Sequence, residues 1–277
     1  MIAVVCMKWG TAFGPDYVNV LYRGVAAHLS QPFRFYCFTD DPAGLSSGII
    51  ARPLPDSTLS ADPDRRWHGG RWPKIGLFRP GLIAEDQALY LDLDVVITGG
   101  LDPLVERQRS LGGLHILREW SPGLWNLLPL ALRPDRGAQS SVFAWRPSEQ
   151  HHLYEALHSA PDRVLAAFRN DQQFIGHAAA HPHYWPQGWA VSFKKHCVWH
   201  YPLNLVFPEP RKPAGARIVV FHGKPRPHQV AREGNRRWGT RRRFGFGPVS
   251  WVRDYWSDRP SAAPAAASFD FSDPTEV

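Results

Sequence analysis

The chain has 277 residues, 44% of them hydrophobic, which is enough to bury the core of one large α/β domain or two small ones. Three scattered cysteines, Cys6, Cys37 and Cys197, have no CxxC spacing and exclude a disulfide framework or a cysteine zinc site. The formal net charge of +7 is local: residues 211–243 hold eleven Lys or Arg against Glu233 alone, so the rest of the chain is slightly acidic.

MIAVVC, residues 1–6, carries no basic segment before its apolar run and reads as a first strand rather than a signal peptide. No stretch reaches the roughly 18 to 20 apolar residues that a membrane span needs. With Cys6 and Cys37 as buried free thiols, a reducing, cytoplasmic setting is expected. After the turn Lys8-Trp9-Gly10-Thr11, the spacing of Val18, Leu21, Tyr22, Val25 and Leu29 predicts a helix with one buried face, with Asp16 near its start as a candidate for the free amides. FRFYCFTDD then predicts a second strand, parallel to the first through a right-handed crossover, ending in an acidic turn at Asp40 and Asp41.

WPKIGLFRPGLIAED reads as a short helix broken by Pro73 and Pro80. The apolar run ALYLDLDVVITGGLDPL, residues 88–104, holds two carboxylates, Asp92 and Asp94, one residue apart. Residues two apart on an extended chain face the same way, so these two can converge on one point. Two hard oxygen ligands suit Mg²⁺ or Mn²⁺; the plain alternative is that they cap a turn where the strand ends. GGLHILRE and AQSSVFAWR read as further strands, followed by amphipathic stretches at 149–158 and 162–168. After an irregular Pro-, His- and Trp-rich region, ARIVVFHG supplies a late strand ending in His222, Gly223 and Lys224. The alternation predicts an α/β fold with a mostly parallel central sheet, whose ligands sit at the carboxyl ends of its strands. Residues 1–258 are expected to form a single domain, with the basic segment 211–243 near its end and a Pro/Ala-rich flexible tail at 259–277.

Five segments in order now resemble a known family. They are the strand YLDLDVVITGGLDPL, Lys74 in WPKIGLF before it, Gln139-Ser140-Ser141-Val142 after it, Asp171-Gln172 in RNDQQFIG, and His222-Gly223-Lys224-Pro225. Together they resemble nucleotide-sugar-dependent glycosyltransferases of the GT-A fold, more specifically glycosyltransferase family 8 and its bacterial relatives. Two departures stand out: the family's Asn-Ser-Gly reads Gln-Ser-Ser here, and its His-to-Lys spacing is shortened.

The resemblance implies that Asp92, Asp94 and His222 hold Mn²⁺ or Mg²⁺ against the diphosphate of a UDP-sugar. It implies that Met7, Lys8, Trp9, Gly10 and Thr11 border the base and ribose, with Asp92 also reaching the ribose. Lys74, Gln139, Ser140, Gly223 and Lys224 would contact sugar or phosphates, and Asp171 and Gln172 would lie under the donor sugar near the reacting carbon. Transfer to a glycan or glycolipid acceptor with retention follows by the same analogy. For Asp171 the plain alternative is a helix N-cap.

HPHYWPQGWAVSFKKHCVWHY, residues 181–201, could form an aromatic acceptor wall, with ordinary packing of Trp189 and Trp199 as the equal alternative. Its histidines, His181, His183, His196 and His200, fit zinc poorly because Pro182, Pro186 and Pro202 interrupt any single helix. The basic run 226–243, including Arg241, Arg242 and Arg243, could hold the enzyme peripherally on the anionic inner face of a membrane, the plain alternative being a solvated face. A nucleic-acid-binding protein stacking bases on Trp238 and Phe244 is the alternative of another class, less favoured because it leaves the carboxylate pair unexplained. A nucleotide-sugar hydrolase or nucleotidyltransferase, or an inactive sugar-binding relative, would use the same pocket.

Overall fold

The computed structural model describes residues 1–55, 72–121, 125, 128–129, 132–234, 236–240 and 243–257. The predicted tail, residues 259–277, and the arginines at 241 and 242 lie outside the described residues.

The first strand, β1 (Ile2–Lys8), is buried along all seven residues, as a strand covered on both faces must be. Its side chains alternate between two cores. Ile2, Val4 and Cys6 pack with Tyr17, Val18, Leu21 and Val25 of helix α1 (Pro15–His28), whereas Ala3, Val5 and Met7 pack on the opposite side with Ile75, Leu77 and Phe78. Strand β2 (Phe33–Thr39) lies parallel to β1 and places Cys37 beside Cys6, and β3 (Ile49–Arg52) extends the edge. All three cysteines are free and buried. Helix α1 is capped by Gly14 without a side-chain bond, so Asp16 is no cap; it lies in the first turn, where its charge favours the helix dipole.

The segment carrying Lys74 is a short 3₁₀ helix, Trp72–Phe78, followed by β4 (Gln87–Leu91) and β5 (Val95–Ile97). Strands β6 (Leu114–Arg118) and β7 (Ala138–Trp145) follow helix α2 (Asp102–Leu111). Helices α3 (His151–Ser159), α4 (Pro161–Ala167) and α5 (Asp171–Ala178) precede β8 (Pro182–Tyr184). The seven-stranded sheet runs β3-β2-β1-β4-β7-β6-β8, and only β7 is antiparallel to its neighbours. This is the mostly parallel α/β architecture that the strand and helix order predicts.

One expectation needs correcting. Asp92 and Asp94 do not lie within a continuous strand: β4 ends at Leu91, and β5 joins a different sheet with β9 (Ala190–Ser192) and β10 (Ile218–Val220). The carboxylates occupy the handover between the sheets. Asp92 N donates to Ser141 O at 2.9 Å on the first side, and Asp94 O accepts from Phe221 N at 2.9 Å on the second. Leu93 between them belongs to the α1 core, and both aspartates line one cavity.

The C-terminal part adds a π-helical turn, Phe193–Cys197, the four-residue helix α6 (Leu203–Val206), α7 (Pro227–Ala231), the hairpin β11 (Arg237–Thr240) and β12 (Arg243–Phe246), and α8 (Ser250–Trp256). Several basic residues here cover aromatic rings rather than forming a plain solvated face. Arg211 lies over Trp199, Arg217 over Trp189, Arg226 over Phe13 and Arg237 over Phe244, with guanidinium-to-ring distances of 4.8, 5.1, 4.5 and 4.5 Å. Trp238 is buried against Phe193, which removes it as a base-stacking platform.

Phe143 of β7 anchors the second core, stacking on Tyr90 at 4.7 Å between centroids and meeting Phe78 and Trp145. Phe143→Ala should cost about 3–5 kcal/mol in urea unfolding, the range for emptying a packed aromatic site. A loss below about 1 kcal/mol would mean that this core does not hold the sheet.

Candidate active site

The end of β1, the 3₁₀ helix, the β4–β5 handover, β7 and the start of α5 close around a cavity of about 440 Å³. Ten of the residues singled out in the sequence line it: Met7, Trp9, Lys74, Asp92, Asp94, Gln139, Ser140, Asp171, Gln172 and His222. They come from six separate segments, and the fold alone brings them together.

Asp92 is the best-supported of the carboxylates. Lys74 Nζ lies 2.8 Å from Asp92 Oδ1, and Tyr90 Oη donates to the same oxygen at 2.8 Å. Lys74 also donates to Ser140 O at 3.2 Å, and Ser140 Oγ donates to Asp171 Oδ2 at 3.3 Å. Burial works against the Lys74 ammonium, but Asp92 and Asp171 outweigh it and raise its pKa. Asp171 is buried, and burial raises its carboxyl pKa despite Lys74. It is not a cap: Asn170 fills that role, accepting from Gln173 N at 2.9 Å, and leaves Asp171 facing the cavity.

Asp94 is the less compensated partner. Burial first and the charge of Asp92 second push its pKa up to about 7, with Lys74 and Arg226 only partly opposing them. His222 is held near 4 mainly by burial and then by Lys194, which keeps its ring neutral. The ring stacks on Trp120 at 5.5 Å, and its Nε2 pairs with Ser192 Oγ at 2.6 Å. Among the described residues no three His, Cys, Asp or Glu side chains form a ready-made metal cluster. The donor set still suits a hard cation: two carboxylates face one cavity, and the charge of one is left largely uncompensated.

Lys8, Gly10, Thr11, Gly223 and Lys224 do not line the cavity. Lys8 Nζ instead donates to Asp41 O at 2.9 Å, and Gly10 N to Asp40 Oδ2 at 2.8 Å, so the acidic turn after β2 fixes the turn after β1. Gly10 takes φ of +59°, which glycine permits. Thr11, Gly223 and Lys224 are exposed. Arg226, not Lys224, approaches the site: it lies over Phe13, donates to Ala12 O, and acts electrostatically on Asp94. Ala12, Phe13, Tyr90 and Glu119 line the cavity without having been marked in the sequence, where nothing set them apart from core or loop residues; Ser141 of the Gln-Ser-Ser-Val motif lines it as well.

A second hollow of about 330 Å³ shares Glu119 with the first and is walled by Trp120, Tyr184 and Trp185. Trp189 and Trp199 lie elsewhere, under Arg217 and against Phe207, which is the ordinary packing that stood as the alternative to an acceptor wall. The four histidines of 181–201 also disperse: His183 meets His115, His196 binds Ser192, His200 binds Arg243, and His181 is exposed.

No protein-family model matches the sequence, and no curated protein matches it by sequence. Solved structures do match in fold. The galactosyltransferase LgtC, in a complex with donor and acceptor sugar analogs, has a TM-score of 0.52 at 15% identity over 81% of this chain and 88% of its own. The glycosyltransferase GlyE of Streptococcus pneumoniae TIGR4 gives 0.57 at 14% identity, over 92% of this chain and 61% of its own. The bifunctional glycosyltransferase WbbM gives 0.57 at 12% identity, over 94% and 50%. The fold is therefore that of glycosyltransferases, and the chain spans 61% and 50% of the two longer proteins.

Asp94 supplies a test of the site's electrostatics. A carboxyl whose folded pKa lies near 7 contributes stability that is full below the unfolded value and is lost as pH rises through about 7. In chelator, Asp94→Asn should therefore gain melting temperature relative to the parent between about pH 5 and about pH 8. A gap that stays constant across that range would show that Asp94 is not strained.

Proposed function

We propose that this chain is a glycosyltransferase that moves a sugar from a nucleoside diphosphate sugar, with uridine as the base, to a hydroxyl of a glycan or glycolipid. The observation that carries the reading is the carboxylate pair Asp92 and Asp94 at the carboxyl end of β4, facing a cavity large enough for such a donor, in a fold shared with solved glycosyltransferases.

Asp92 and Asp94, with the neutral ring of His222, would hold Mn²⁺ or Mg²⁺. When bound there, such a cation supplies Lewis-acid stabilisation of the departing diphosphate. The chain's own groups do the remaining work. Lys74 keeps Asp92 pointed at the cavity through the 2.8 Å pair. Arg226 and Lys194 add positive potential toward the phosphates, both being coupled to Asp94. Met7, Trp9 and Phe13 wall the end nearest β1, suited to the flat base.

Asp171 and Gln172 sit across the cavity at the start of α5, where they would orient the donor sugar through its hydroxyls. As the bond from the anomeric carbon to the diphosphate oxygen breaks, the electron pair leaves with the nucleoside diphosphate, and an acceptor hydroxyl oxygen bonds to that carbon and releases its proton. Retention of configuration is the outcome the family resemblance implies. The second hollow, joined through Glu119 and Trp120, is the place for the acceptor, whose rings can lie on Trp185 and Tyr184.

A nucleotide-sugar panel read by thermal shift, with and without Mn²⁺, tests the proposal. One diphospho-sugar should stabilise the protein only with the metal, and Asp94→Asn should abolish the shift; stabilisation by no donor would end the transferase reading. Within that assay Arg226→Ala should weaken donor binding by about tenfold, the usual scale for one phosphate-facing charge, while Lys224→Ala should change it little. The reverse ranking would restore Lys224 as the phosphate contact.

A further inference from the structure

Helix α6 is built inside out. Its sequence is Leu-Asn-Leu-Val, and the polar residue is the one facing inward: Asn204 is 6% exposed and donates through Nδ2 to Phe244 O at 3.0 Å. The apolar side chains face out, with Val206 70% and Leu205 58% exposed. Tyr201, Leu203 and Phe207 continue the row, and Phe246 of the neighbouring hairpin joins it. Soluble proteins scatter such residues singly; a contiguous row held outward by a buried anchor marks a contact surface.

The rim of this patch says what the contact is. Arg211 lies over Trp199, which packs on Phe207 at 5.1 Å, so a guanidinium and an indole border one side. Arg237 lies over Phe244, which meets Phe246 edge-on at 5.8 Å, so the same pairing borders the other. Arg211, Lys212 and Arg237 are exposed. The lone acid of residues 199–212 is Glu209, and its carboxylate is taken by the backbone N and hydroxyl of Ser250. An apolar centre, an aromatic border and a positive rim match the depth profile of an anionic bilayer surface, whose acyl region lies behind its charged headgroups.

We infer that residues 201–207 with Phe246 form a peripheral membrane-docking surface, which inserts Leu205, Val206 and Phe207 among acyl chains while Arg211, Lys212 and Arg237 meet anionic headgroups. The inference does not depend on the catalytic reading. It also shifts membrane attachment from bare charge in 226–243 to an apolar element pinned by Asn204. Among the described residues no helix is long and apolar enough to cross a membrane, so this contact would lie on the surface. Arg243 ties the hairpin to the cavity's neighbourhood by donating to Lys194 O at 2.9 Å.

The test is flotation of the full chain with vesicles of phosphatidylcholine alone and with about 30 mol% phosphatidylglycerol. The parent should float with the anionic vesicles only. Leu205→Ser/Val206→Ser/Phe207→Ser should lower binding at least about tenfold while the chain stays folded, because Leu205 and Val206 are exposed and only Phe207, packed on Trp199, gives up a contact. Lys212→Glu/Arg237→Glu should do the same, and its loss should be mimicked by high salt. Three outcomes overturn the inference: no binding by the parent, equal binding to both vesicles, or undiminished binding by the triple variant. A parent dimer in sedimentation velocity that the triple variant dissociates would also overturn it, assigning the patch to a second copy of the chain.

Discussion

Everything at the site depends on an unfavourable interaction: two carboxylates held on one side of the chain at a break between two sheets. Backbone bonds fix both ends of the break, to Ser141 on β7 and from Phe221 after β10, so Asp92 and Asp94 cannot relax apart by local rotation of the strand. Leu93 reinforces this by occupying the core behind them. Lys74 neutralises one carboxylate and leaves the other short of positive charge. A protein interior tolerates such a residual charge when a ligand or cation completes it. The strain at Asp94 and the proposed affinity for a divalent ion are thus two descriptions of one arrangement.

The fold was legible where periodicity is strong. The alternating burial of β1, the apolar face of α1 and the crossover to β2 follow from spacing alone, as do the strands around Ala138–Trp145 and Ile218–Val220. The break at Asp92 was not, because residues 88–97 read as one apolar run whichever sheet each half joins. Strand β9 and helix α5 fall in a region whose prolines, histidines and tryptophans hide both periods; their identity comes from tertiary pairing with β10 and β7. The antiparallel β7 likewise carries no local mark, since a strand buried on both faces looks the same in either direction.

The site was legible residue by residue where chemistry is unusual for its position. A charge within an apolar run, as at Asp92, Asp94 or Lys74, has few structural uses, and all three face the cavity. Residues in turns were harder. Lys8 and Gly10 sit where a ligand loop is expected but spend their polar groups on Asp40 and Asp41, a bond made across 30 or more residues that sequence order conceals. Lys224 and Arg226 are two residues apart, and only the path of the chain over Phe13 tells which one turns toward the cavity.

The same distinction separates the two roles of the basic segment. Read as a string, residues 211–243 are simply positive; in three dimensions the arginines divide by the rings they cover. Arg217 and Arg226 lie on Trp189 and Phe13 and hold the chain against the sheet and the cavity loop. Arg211 and Arg237 lie on rings at the border of an exposed apolar row. Stacking costs an arginine little of its charge, since the guanidinium edge stays free to meet an anion while its face is covered. A residue type that looked redundant along the sequence therefore divides by where its ring lies, beside the sheet and the cavity loop for Arg217 and Arg226 and at the border of the exposed row for Arg211 and Arg237. What separates them is the place of the aromatic partner in the fold, not the charge.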